Sequence, residues 1–300
     1  MRLRILVTGS AGLIGRPLCA ALRGRGVEVA RLDLHEDGAG RGDLCDPKAL
    51  SAALVGVGGI VHLAAVSRVI EAEQDPARCA ATNVDGLQRL IDQSLSSPRR
   101  PWLLFTSSRE VYGHPDRLPV HEEAPLRPVN VYGRSKAEGE ALVRVAQSRG
   151  LRAAILRLSN VYGSTADHPD RVVPAFARAA AQGAELRVDG PDHVFDFTHT
   201  DDVVRGILAL IDRLDTGEPP PPPIQLVSGR AVRLDELARL AIALSPRAAT
   251  LRAAPPRDFD VSCFVGDPDR AQRLLGWSAQ VDLRAGLSHL IRAFGAGDPP

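Results

Sequence analysis

The hydrophobic positions of the chain fall into short apolar runs that are separated by longer amphipathic stretches. The runs predict buried β-strands at residues 3–7, 27–32, 60–64, 102–106 and 151–158. The stretches between them predict helices at residues 12–23, 47–54, 75–95 and 131–148. Strands that alternate with such helices indicate βαβ units, right-handed crossovers and helices on both faces of a mostly parallel sheet. We therefore predict an α/β fold with a doubly wound parallel sheet.

The pattern changes in the second half of the chain, where proline becomes more frequent. A helix is predicted at residues 173–182, and a later helix has Thr200 or Asp201 as its candidate N-cap. The prolines of residues 219–223 predict a stiff surface connection into a short strand at residues 224–227.

This change of pattern divides the chain into two units. The first is a domain of residues 1–165, to which residues 190–215 return. The second is a smaller α/β lobe that occupies most of residues 166–300.

The charge balance removes one broad class of partner. The 300 residues include 37 lysines and arginines against 36 aspartates and glutamates, so a net charge of +1 gives no reason to expect a nucleic acid. No apolar run approaches the roughly 18 residues that cross a bilayer, and the run near the amino terminus is too short for a signal peptide. We expect a soluble cytoplasmic protein with no nucleic-acid or membrane partner.

The cysteines lie far apart in the sequence, at Cys19, Cys45, Cys79 and Cys263. They form no Cys-x-x-Cys pair and no cluster with histidine of the kind that binds metal. We expect reduced structural thiols and no metal site.

Three glycines at three-residue spacing follow the first predicted strand. Gly9, Gly12 and Gly15 lie at the turn into the first helix, and Asp33 follows the second strand. Glycine lets the backbone approach a pyrophosphate, the helix N-terminus offers free N–H groups, and a carboxylate accepts hydrogen bonds from ribose hydroxyls. Because an acid at this position repels a 2′-phosphate, the pattern predicts NAD rather than NADP. The alternative is a glycine-rich packing turn that binds no ligand.

A tyrosine and a lysine lie four residues apart on the helix predicted at residues 131–148. Tyr132 and Lys136 therefore share one face of that helix, and Lys48 is the only other lysine in the chain. A cation beside a phenol lowers the pKa of the phenol, so Tyr132 is a candidate general base and acid for a hydroxyl and carbonyl pair. The alternative is a surface pair worth about a few tenths of a kcal/mol.

A Ser-Ser pair ends the strand that precedes this helix. Ser107 and Ser108 lie at the carboxyl end of a parallel strand, where ligands bind in open α/β sheets. A hydroxyl there can bond the same substrate oxygen as Tyr132. An isolated Ser-Ser pair is otherwise a strand-ending turn.

With these residues in place, the chain resembles the extended short-chain dehydrogenase/reductase family, in its nucleotide-sugar epimerase/dehydratase branch. The matching segments run nearly end to end: TGSAGLIG (8–15), GDLCD (42–46), HLAA (62–65), TNVDG (82–86), TSSREVYG (106–113), YGRSK (132–136), LRLSNVYG (156–163), DFTHTDDV (196–203) and RLLGW (273–277). The resemblance implies a Rossmann-type domain that binds NAD tightly, a smaller C-terminal lobe for a nucleotide-diphosphate sugar, and a homodimer formed through two long helices.

The resemblance also implies roles for individual residues. Those implied to bind NAD are Gly9, Gly12, Leu13, Ile14, Gly15, Asp33, Asp43, Leu44, Leu63, Ala64, Ala65, Asn83, Tyr132 and Lys136. Those implied in catalysis are Ser108, Tyr132, Lys136 and Glu110. Those implied to bind substrate are Ser67, Ser108, Arg109, Asn160 and Arg257. The other two tyrosines, Tyr112 and Tyr162, are expected in packing.

Position 109 departs from the family pattern. Members that eliminate water carry an acidic residue there, followed by glutamate, whereas this chain has Arg109 followed by Glu110. Glu110 is therefore a candidate base for elimination without its usual proton donor. Arg109 suits a carboxylate, which predicts a uronate substrate; the alternative is that Arg109 faces solvent or pairs with Glu110.

A second departure lies at position 195. Related sequences carry an arginine that contacts the nucleotide diphosphate just before the Asp-Phe pair, and this chain has Phe195. Loss of a bidentate phosphate ligand predicts lower affinity or a changed nucleotide pose, unless Arg257 or another arginine compensates.

Taken together, the sequence predicts an NAD-dependent 4-epimerase that acts on a nucleotide-linked hexose through a 4-keto intermediate. Alternatives within the family are a 4,6- or 5,6-dehydratase with Glu110 as base, a uronate decarboxylase or epimerase, and a keto-sugar reductase. A non-catalytic NAD sensor on the same fold is the alternative from another class. Such sensors tend to lose the tyrosine and lysine that this chain keeps.

Overall fold

A computed structural model describes residues 3–256 and 261–296 of the chain. The strands are β1 (Arg4–Thr8), β2 (Glu28–Leu32), β3 (Gly59–His62), β4 (Trp102–Ser108), β5 (Ala153–Leu158), β6 (Asn160–Tyr162), β7 (Glu185–Asp189), β8 (Val194–Phe195), β9 (Phe197–His199), β10 (Ile224–Leu226), β11 (Val232–Arg233), β12 (Thr250–Ala254) and β13 (Cys263–Phe264). The helices are α1 (Gly15–Gly24), α2 (Pro47–Ala53), α3 (Val69–Gln74), α4 (Pro76–Ala80), α5 (Gly86–Ser96), α6 (Val131–Ser148), α7 (Val172–Gln182), α8 (Thr200–Asp215), α9 (Leu234–Leu244), α10 (Asp269–Leu275) and α11 (Leu283–Ala296).

Six strands form one sheet in the order β10-β5-β4-β3-β1-β2. Every neighbouring pair in this sheet is parallel. Strands β3, β4 and β5 are buried along their whole length. Burial on both faces explains why their sequences contain continuous apolar runs instead of an alternating pattern.

Helices cover both faces of this sheet. On one face α1 and α8 pack through residues such as Leu18 and Ile207. On the other face α2, α5 and α6 pack through Leu50, Leu87 and Val143. The predicted doubly wound α/β fold of Rossmann type is therefore confirmed.

A smaller lobe adjoins the carboxyl end of β4. Its core joins α7, α9 and α11 through Phe176, Leu237 and Leu290. Val111 and Tyr112, which follow β4 directly, belong to the same cluster of buried side chains. From the second half of the chain, α8 and β10 belong instead to the large sheet and its helical layer.

The helix predicted as continuous over residues 75–95 is interrupted. Between α4 and α5, residues Ala81–Asp85 form a π-helical turn. Asn83 within this turn is buried, and its side-chain amide bonds both the N–H and the C=O of Val66. Apolar periodicity carries no information about such a bond, and π-helical turns often occur at functional sites.

The N-cap of α8 is His199, so the predicted cap at Thr200 or Asp201 is wrong. The helix begins at Thr200, and Nδ1 of His199 accepts a hydrogen bond from the N–H of Asp201 at 3.2 Å. Cap preferences favour threonine and aspartate, and they placed the cap one or two residues too late. Asp201 and Asp202 instead lie in the first turn, where their charge suits the helix dipole.

Neither a disulfide nor a membrane-spanning helix occurs in the part of the chain that the structure describes. All four cysteines are free thiols. None of the described helices is long and apolar enough to cross a bilayer.

Candidate active site

A cleft of about 300 Å³ lies at the carboxyl end of β4, between the large sheet and the smaller lobe. Ligands of open α/β sheets bind at this edge. Six of the residues predicted from the sequence line it: Ser67, Ser108, Arg109, Glu110, Tyr132 and Asn160. The structure therefore brings together residues that lie up to 93 positions apart in the sequence, from 67 to 160.

The two serines at the end of β4 have different surroundings. Ser107 donates a hydrogen bond from Oγ to the buried Glu140 at 2.7 Å, away from the cleft. Ser108 lines the cleft, and its Oγ accepts a hydrogen bond from the N–H of Glu110 at 3.2 Å. Successive residues of a strand point to opposite sides. Ser108 is therefore the hydroxyl available to a ligand.

Tyr132 reaches the cleft from the first turn of α6. Burial raises the pKa of its phenol to about 12, while the positive charge of Arg171 and a hydrogen bond with Ser108 act in the opposite direction. Arg171 lies on the same cleft and donates a hydrogen bond from Nη2 to Oγ of Ser67 at 3.3 Å. Ser108 and Arg171 are therefore the groups that favour the phenolate in this structure.

Lys136 lies behind Tyr132 and is almost fully buried. Its Nζ donates to the C=O of Thr106 at 2.9 Å and lies 5.9 Å from the centre of the Tyr132 ring. Burial lowers the pKa of Lys136 to about 8. The ammonium is held at a backbone carbonyl, and Arg171 is the positive charge that lowers the pKa of Tyr132 in the ligand-free protein. The predicted effect of Lys136 on that pKa stays a prediction.

Arg109 occupies the side of the cleft formed by the smaller lobe. Its guanidinium lies 4.6 Å from the ring centre of Phe195 and pairs with Glu110, with Nη2 2.8 Å from Oε1. The predicted pairing with Glu110 is present, and only 11% of the Arg109 side chain is exposed, so the arginine does not face bulk solvent. The two departures from the family pattern, Arg109 and Phe195, are in contact with each other.

Glu110 is held from two sides. Its Oε1 accepts from Arg109, and its Oε2 accepts from the side-chain amide of Asn130 at 2.7 Å. Asn130 is also the N-cap of α6, since its Oδ1 accepts from the N–H of Gly133 at 2.7 Å. Asn130 was not among the residues predicted from the sequence, although an asparagine directly before the Tyr-x-x-x-Lys helix is a recognisable cap signal.

The glycine loop joins β1 to α1 as predicted. Gly9 has a φ of +70°, and a Cβ at Gly9 would lie 2.6 Å from the backbone N of Ala64. A Cβ at Gly15 would lie 2.2 Å from the C=O of Gly9. At Gly12 the nearest atom to an added Cβ is the Gly9 oxygen at 3.3 Å, and Gly12 is exposed. The outer two glycines serve close packing, whereas at Gly12 an added Cβ would press only on the Gly9 oxygen.

Asp33 lies at the end of β2 beside this loop. Its carboxylate accepts from the N–H of Ala11 at 3.1 Å and from the N–H of His35 at 2.8 Å. The neighbouring Arg31 is paired with Glu36, which also accepts from the hydroxyl of Ser10. The acidic group that the sequence assigned to ribose therefore lies next to the loop, and the arginine of the same strand already has an anionic partner.

The remaining residues assigned to NAD occupy two kinds of position. Leu63, Ala64 and Ala65 follow β3 and are partly exposed at the same edge of the sheet as Gly9. Leu44 is buried in the core beneath that edge, while Asp43 accepts from the N–H of Cys45 at 2.8 Å.

The buried amide of Asn83 is used by Val66 and by the hydroxyl of Ser135, to which it donates at 2.9 Å. This contact ties the segment after β3 to helix α6. Arg257 lies outside the described residues. Tyr112 and Tyr162 are both buried in the core of the smaller lobe, in agreement with the packing expected of them.

A buried ion pair joins β5 to α6 next to Ser107. Arg157 on β5 donates from Nε and Nη2 to the two carboxylate oxygens of Glu140 on α6, at 2.7 and 2.6 Å. Its Nη1 donates to the hydroxyl of Tyr112 at 2.8 Å and to the C=O of Glu122 at 2.7 Å. Burial alone would lower the pKa of Arg157, but the bonds to Glu140 raise it above its usual value.

The sequence matches the NAD dependent epimerase/dehydratase family over residues 5–223. This match includes the glycine loop, Ser108, Tyr132 and Lys136. The chain belongs to this family. This epimerase/dehydratase is accordingly an NAD-dependent enzyme of the extended short-chain dehydrogenase/reductase type.

Related proteins cover nearly the whole chain. The dTDP-glucose 4,6-dehydratase of Streptomyces griseus is 30% identical over 97% of this chain and 94% of its own length. The UDP-glucose 4-epimerase of Rhizobium meliloti (strain 1021) is 30% identical over 94% of each chain. The structure of MoeE5 in complex with UDP-glucuronic acid and NAD has a TM-score of 0.88 and 29% identity, and covers 96% of this chain and 98% of that chain. Since these relatives differ in reaction or ligand, they define the family and leave the individual reaction open.

The residues of this epimerase/dehydratase fit NAD. The N-cap of α1 makes no side-chain hydrogen bond, and the first turn carries no acidic residue, so no side chain competes with a pyrophosphate at this helix N-terminus. Gly12 is exposed and adds no side chain beside this helix end, and Asp33 is in place for ribose hydroxyls.

A Gly12→Ala variant separates this site from a packing turn without a ligand. The added methyl group meets only the Gly9 oxygen, which has to shift by a few tenths of an ångström, so we expect the thermal midpoint of the NAD-free protein to remain near that of the wild type. We expect the affinity for NAD to fall by at least about tenfold, because the methyl group enters the space that the pyrophosphate needs. Isothermal titration with NAD measures this loss. Wild-type affinity in the variant would contradict the assignment.

Proposed function

We propose that the enzyme is a nucleotide-sugar 4-epimerase that acts through a 4-keto hexose. The observation that carries this proposal is the state of Glu110, whose two carboxylate oxygens already accept hydrogen bonds from Arg109 and Asn130. A dehydratase needs a free base at this position and an acid beside it. Here an arginine replaces the acid and holds the base, which favours chemistry confined to C4.

Tyr132 and Ser108 carry the proton chemistry. The phenolate of Tyr132 accepts the proton of the C4 hydroxyl, and Ser108 donates a hydrogen bond to the same oxygen as the carbonyl forms. Both residues line the cleft, and interaction with Ser108 lowers the pKa of the Tyr132 phenol in the ligand-free protein. When the carbonyl is reduced again, Tyr132 returns the proton to oxygen.

NAD, when bound, would supply the acceptor for the C4 hydride and the donor that returns it. Between removal and return of the hydride, the enzyme has to retain the keto sugar and let it expose the opposite face of C4. The cleft provides a volume of about 300 Å³ for this purpose. Lys136 stands behind Tyr132 with its ammonium buried, in a place suited to a ribose hydroxyl of the cofactor.

Replacing Arg171 will move the pH dependence of the reaction. The positive charge of Arg171 lowers the pKa of Tyr132, so Arg171→Met raises that pKa and leaves less phenolate at any given pH. The rise of kcat/KM with pH should therefore shift to higher pH in the variant. Arg187→Met is the matched control, because Arg187 lines the same cleft and pairs with Asp189. An unchanged midpoint, or a shift to lower pH, would refute this role of Arg171.

The proposed reaction is tested by product analysis. The NAD-loaded enzyme is incubated with UDP-, dTDP- and GDP-linked hexoses and uronates, and products are followed by mass spectrometry and proton NMR. We expect an unchanged mass with an inverted C4 signal for one class of substrate. Loss of the mass of water would show a dehydratase with Glu110 as base. Loss of the mass of carbon dioxide would show a decarboxylase.

The homodimer through α5 and α6 stays a prediction. The cytoplasmic location is likewise a prediction from the sequence.

A further inference from the structure

The guanidinium of Arg109 is buried, oriented and incompletely bonded. It lies 4.6 Å from the ring centre of Phe195 and 5.9 Å from that of Phe264, and Nη2 is bonded to Glu110. Nη1 is buried and has no hydrogen-bond partner among the described residues. An unmade hydrogen bond on a buried charged group is costly, so such a donor at the edge of a cleft calls for a ligand oxygen.

The surroundings fix where this donor points. Glu110 is only 6% exposed and is held in turn by Asn130. A Cβ at Gly133 would lie 2.6 Å from the C=O of Glu110, so α6 packs directly on this backbone. The guanidinium is therefore positioned before any ligand arrives, which reduces the entropy that binding must overcome.

The position of Arg109 relative to the reacting atoms selects the ligand group. Arg109 follows Ser108 directly, and both line the same cleft. When the C4 hydroxyl of a sugar is bonded by Ser108 and Tyr132, a substituent on a neighbouring ring carbon comes next to Arg109. The free edge of a guanidinium binds a carboxylate much more strongly than a hydroxymethyl group, because the bond is charge-assisted.

We infer that Nη1 of Arg109 binds the C6 carboxylate of a nucleotide-linked uronate, and that uronates are the substrate class of this enzyme. This inference rests on the proposed C4 chemistry, which places the sugar ring beside Ser108. Phe195 serves as the platform that keeps the guanidinium in plane, and Glu110 holds its other edge. Glu110 is then a positioning residue for the specificity contact.

The test is equilibrium binding, which does not depend on turnover. The NAD-loaded protein is titrated with UDP-glucuronate, UDP-glucose and UDP by isothermal calorimetry. We expect the wild type to bind UDP-glucuronate more tightly than UDP-glucose. In Arg109→Met the affinity for UDP-glucuronate should fall roughly 10- to 100-fold, the effect of one hydrogen bond to a charged group, while UDP-glucose and UDP bind as before.

Two further variants make the result specific. Arg109→Lys keeps the charge but loses the planar fork, so it should recover only part of the affinity for UDP-glucuronate. Arg187→Met removes another arginine of the same cleft, and we expect it to leave the preference for UDP-glucuronate over UDP-glucose intact. Unchanged binding of UDP by Arg109→Met shows that the variant is folded.

Other outcomes overturn the inference. Equal losses for UDP-glucuronate, UDP-glucose and UDP in Arg109→Met would place Arg109 at the diphosphate and not at the sugar. Unchanged affinity for UDP-glucuronate would remove Arg109 from the site. A selective loss for UDP-glucuronate without inversion at C4 in the product assay would support the carboxylate contact and overturn only the proposed reaction.

Discussion

A Tyr132→Phe variant will retain NAD and substrate binding and lose about 10³-fold in kcat, the usual contribution of a well-placed general acid and base. The change removes the one oxygen on α6 that reaches the substrate hydroxyl, while the ring continues to fill its place beside Lys136. Steady-state kinetics with the substrate found in the product assay gives kcat, and calorimetry gives the binding constants.

Tyr162→Phe is the matched control for this variant. Tyr162 lies in the same Val-Tyr-Gly sequence context, is buried, and has a hydroxyl with no hydrogen-bond partner among the described residues. Its removal should leave kcat within about twofold, since no bond in the site is lost. Equal losses in the two variants would show that Tyr132 acts through packing and not through proton transfer.

Removing Arg157 will have the largest effect on stability. Arg157→Met removes the buried cation of Glu140 and leaves that carboxylate with the half-exposed Arg144, 3.3 Å away, as its charged partner. It also deprives Tyr112 and the C=O of Glu122 of a donor. Breaking one half of a buried ion pair costs about 3–5 kcal/mol in the free energy of unfolding. Urea denaturation followed by circular dichroism measures the loss.

The double variant Arg157→Met/Glu140→Met distinguishes a buried pair from two independent contributions. Replacing both charges by apolar groups of similar size removes the uncompensated charge, so we expect the double variant to be more stable than Arg157→Met alone. A loss equal to the sum of the two single losses would contradict this interpretation of the pair.

The large sheet could be predicted from the sequence because its strands are buried on both faces. A strand such as residues 102–106 needs no polar residues on a solvent-facing side, so its continuous apolar sequence is enough to identify it as a strand. The pairing of Tyr132 with Lys136 could be predicted equally well, since residues four positions apart on a helix lie on the same face. Ser108 could be predicted as a site residue because ligands bind at the carboxyl ends of the strands in open α/β sheets.

The contacts that distinguish this chain from its relatives could not be predicted in the same way. Arg109 and Phe195 lie on different elements, and no local pattern reports that a guanidinium stacks on a ring 86 positions later, from 109 to 195. Arg171 reaches Tyr132 from the segment before α7, so its effect on the phenol depends on how the smaller lobe packs. The π-helical turn likewise contains Asn83, whose bond to Val66 joins positions 17 apart that no helical periodicity relates.

The pKa of Tyr132 depends mainly on burial, which the sequence pattern does not report. A lysine at i+4 was expected to lower it, but burial dominates and raises it to about 12. Burial acts on Lys136 as well and lowers its pKa to about 8. Periodicity places two groups near each other, whereas the depth at which both are buried is set by the whole fold.

The most direct test of the account is to run the reaction of the NAD-loaded enzyme with UDP-glucuronate in D₂O. If the chemistry is confined to C4 and Glu110 holds Arg109 instead of acting as a base, the product is the C4 epimer with no deuterium on any carbon, because the C5–H bond is never broken. Proton NMR and mass spectrometry of the purified product read this out. Deuterium at C5 or C6 would contradict the account, since it requires a base that removes the C5 proton.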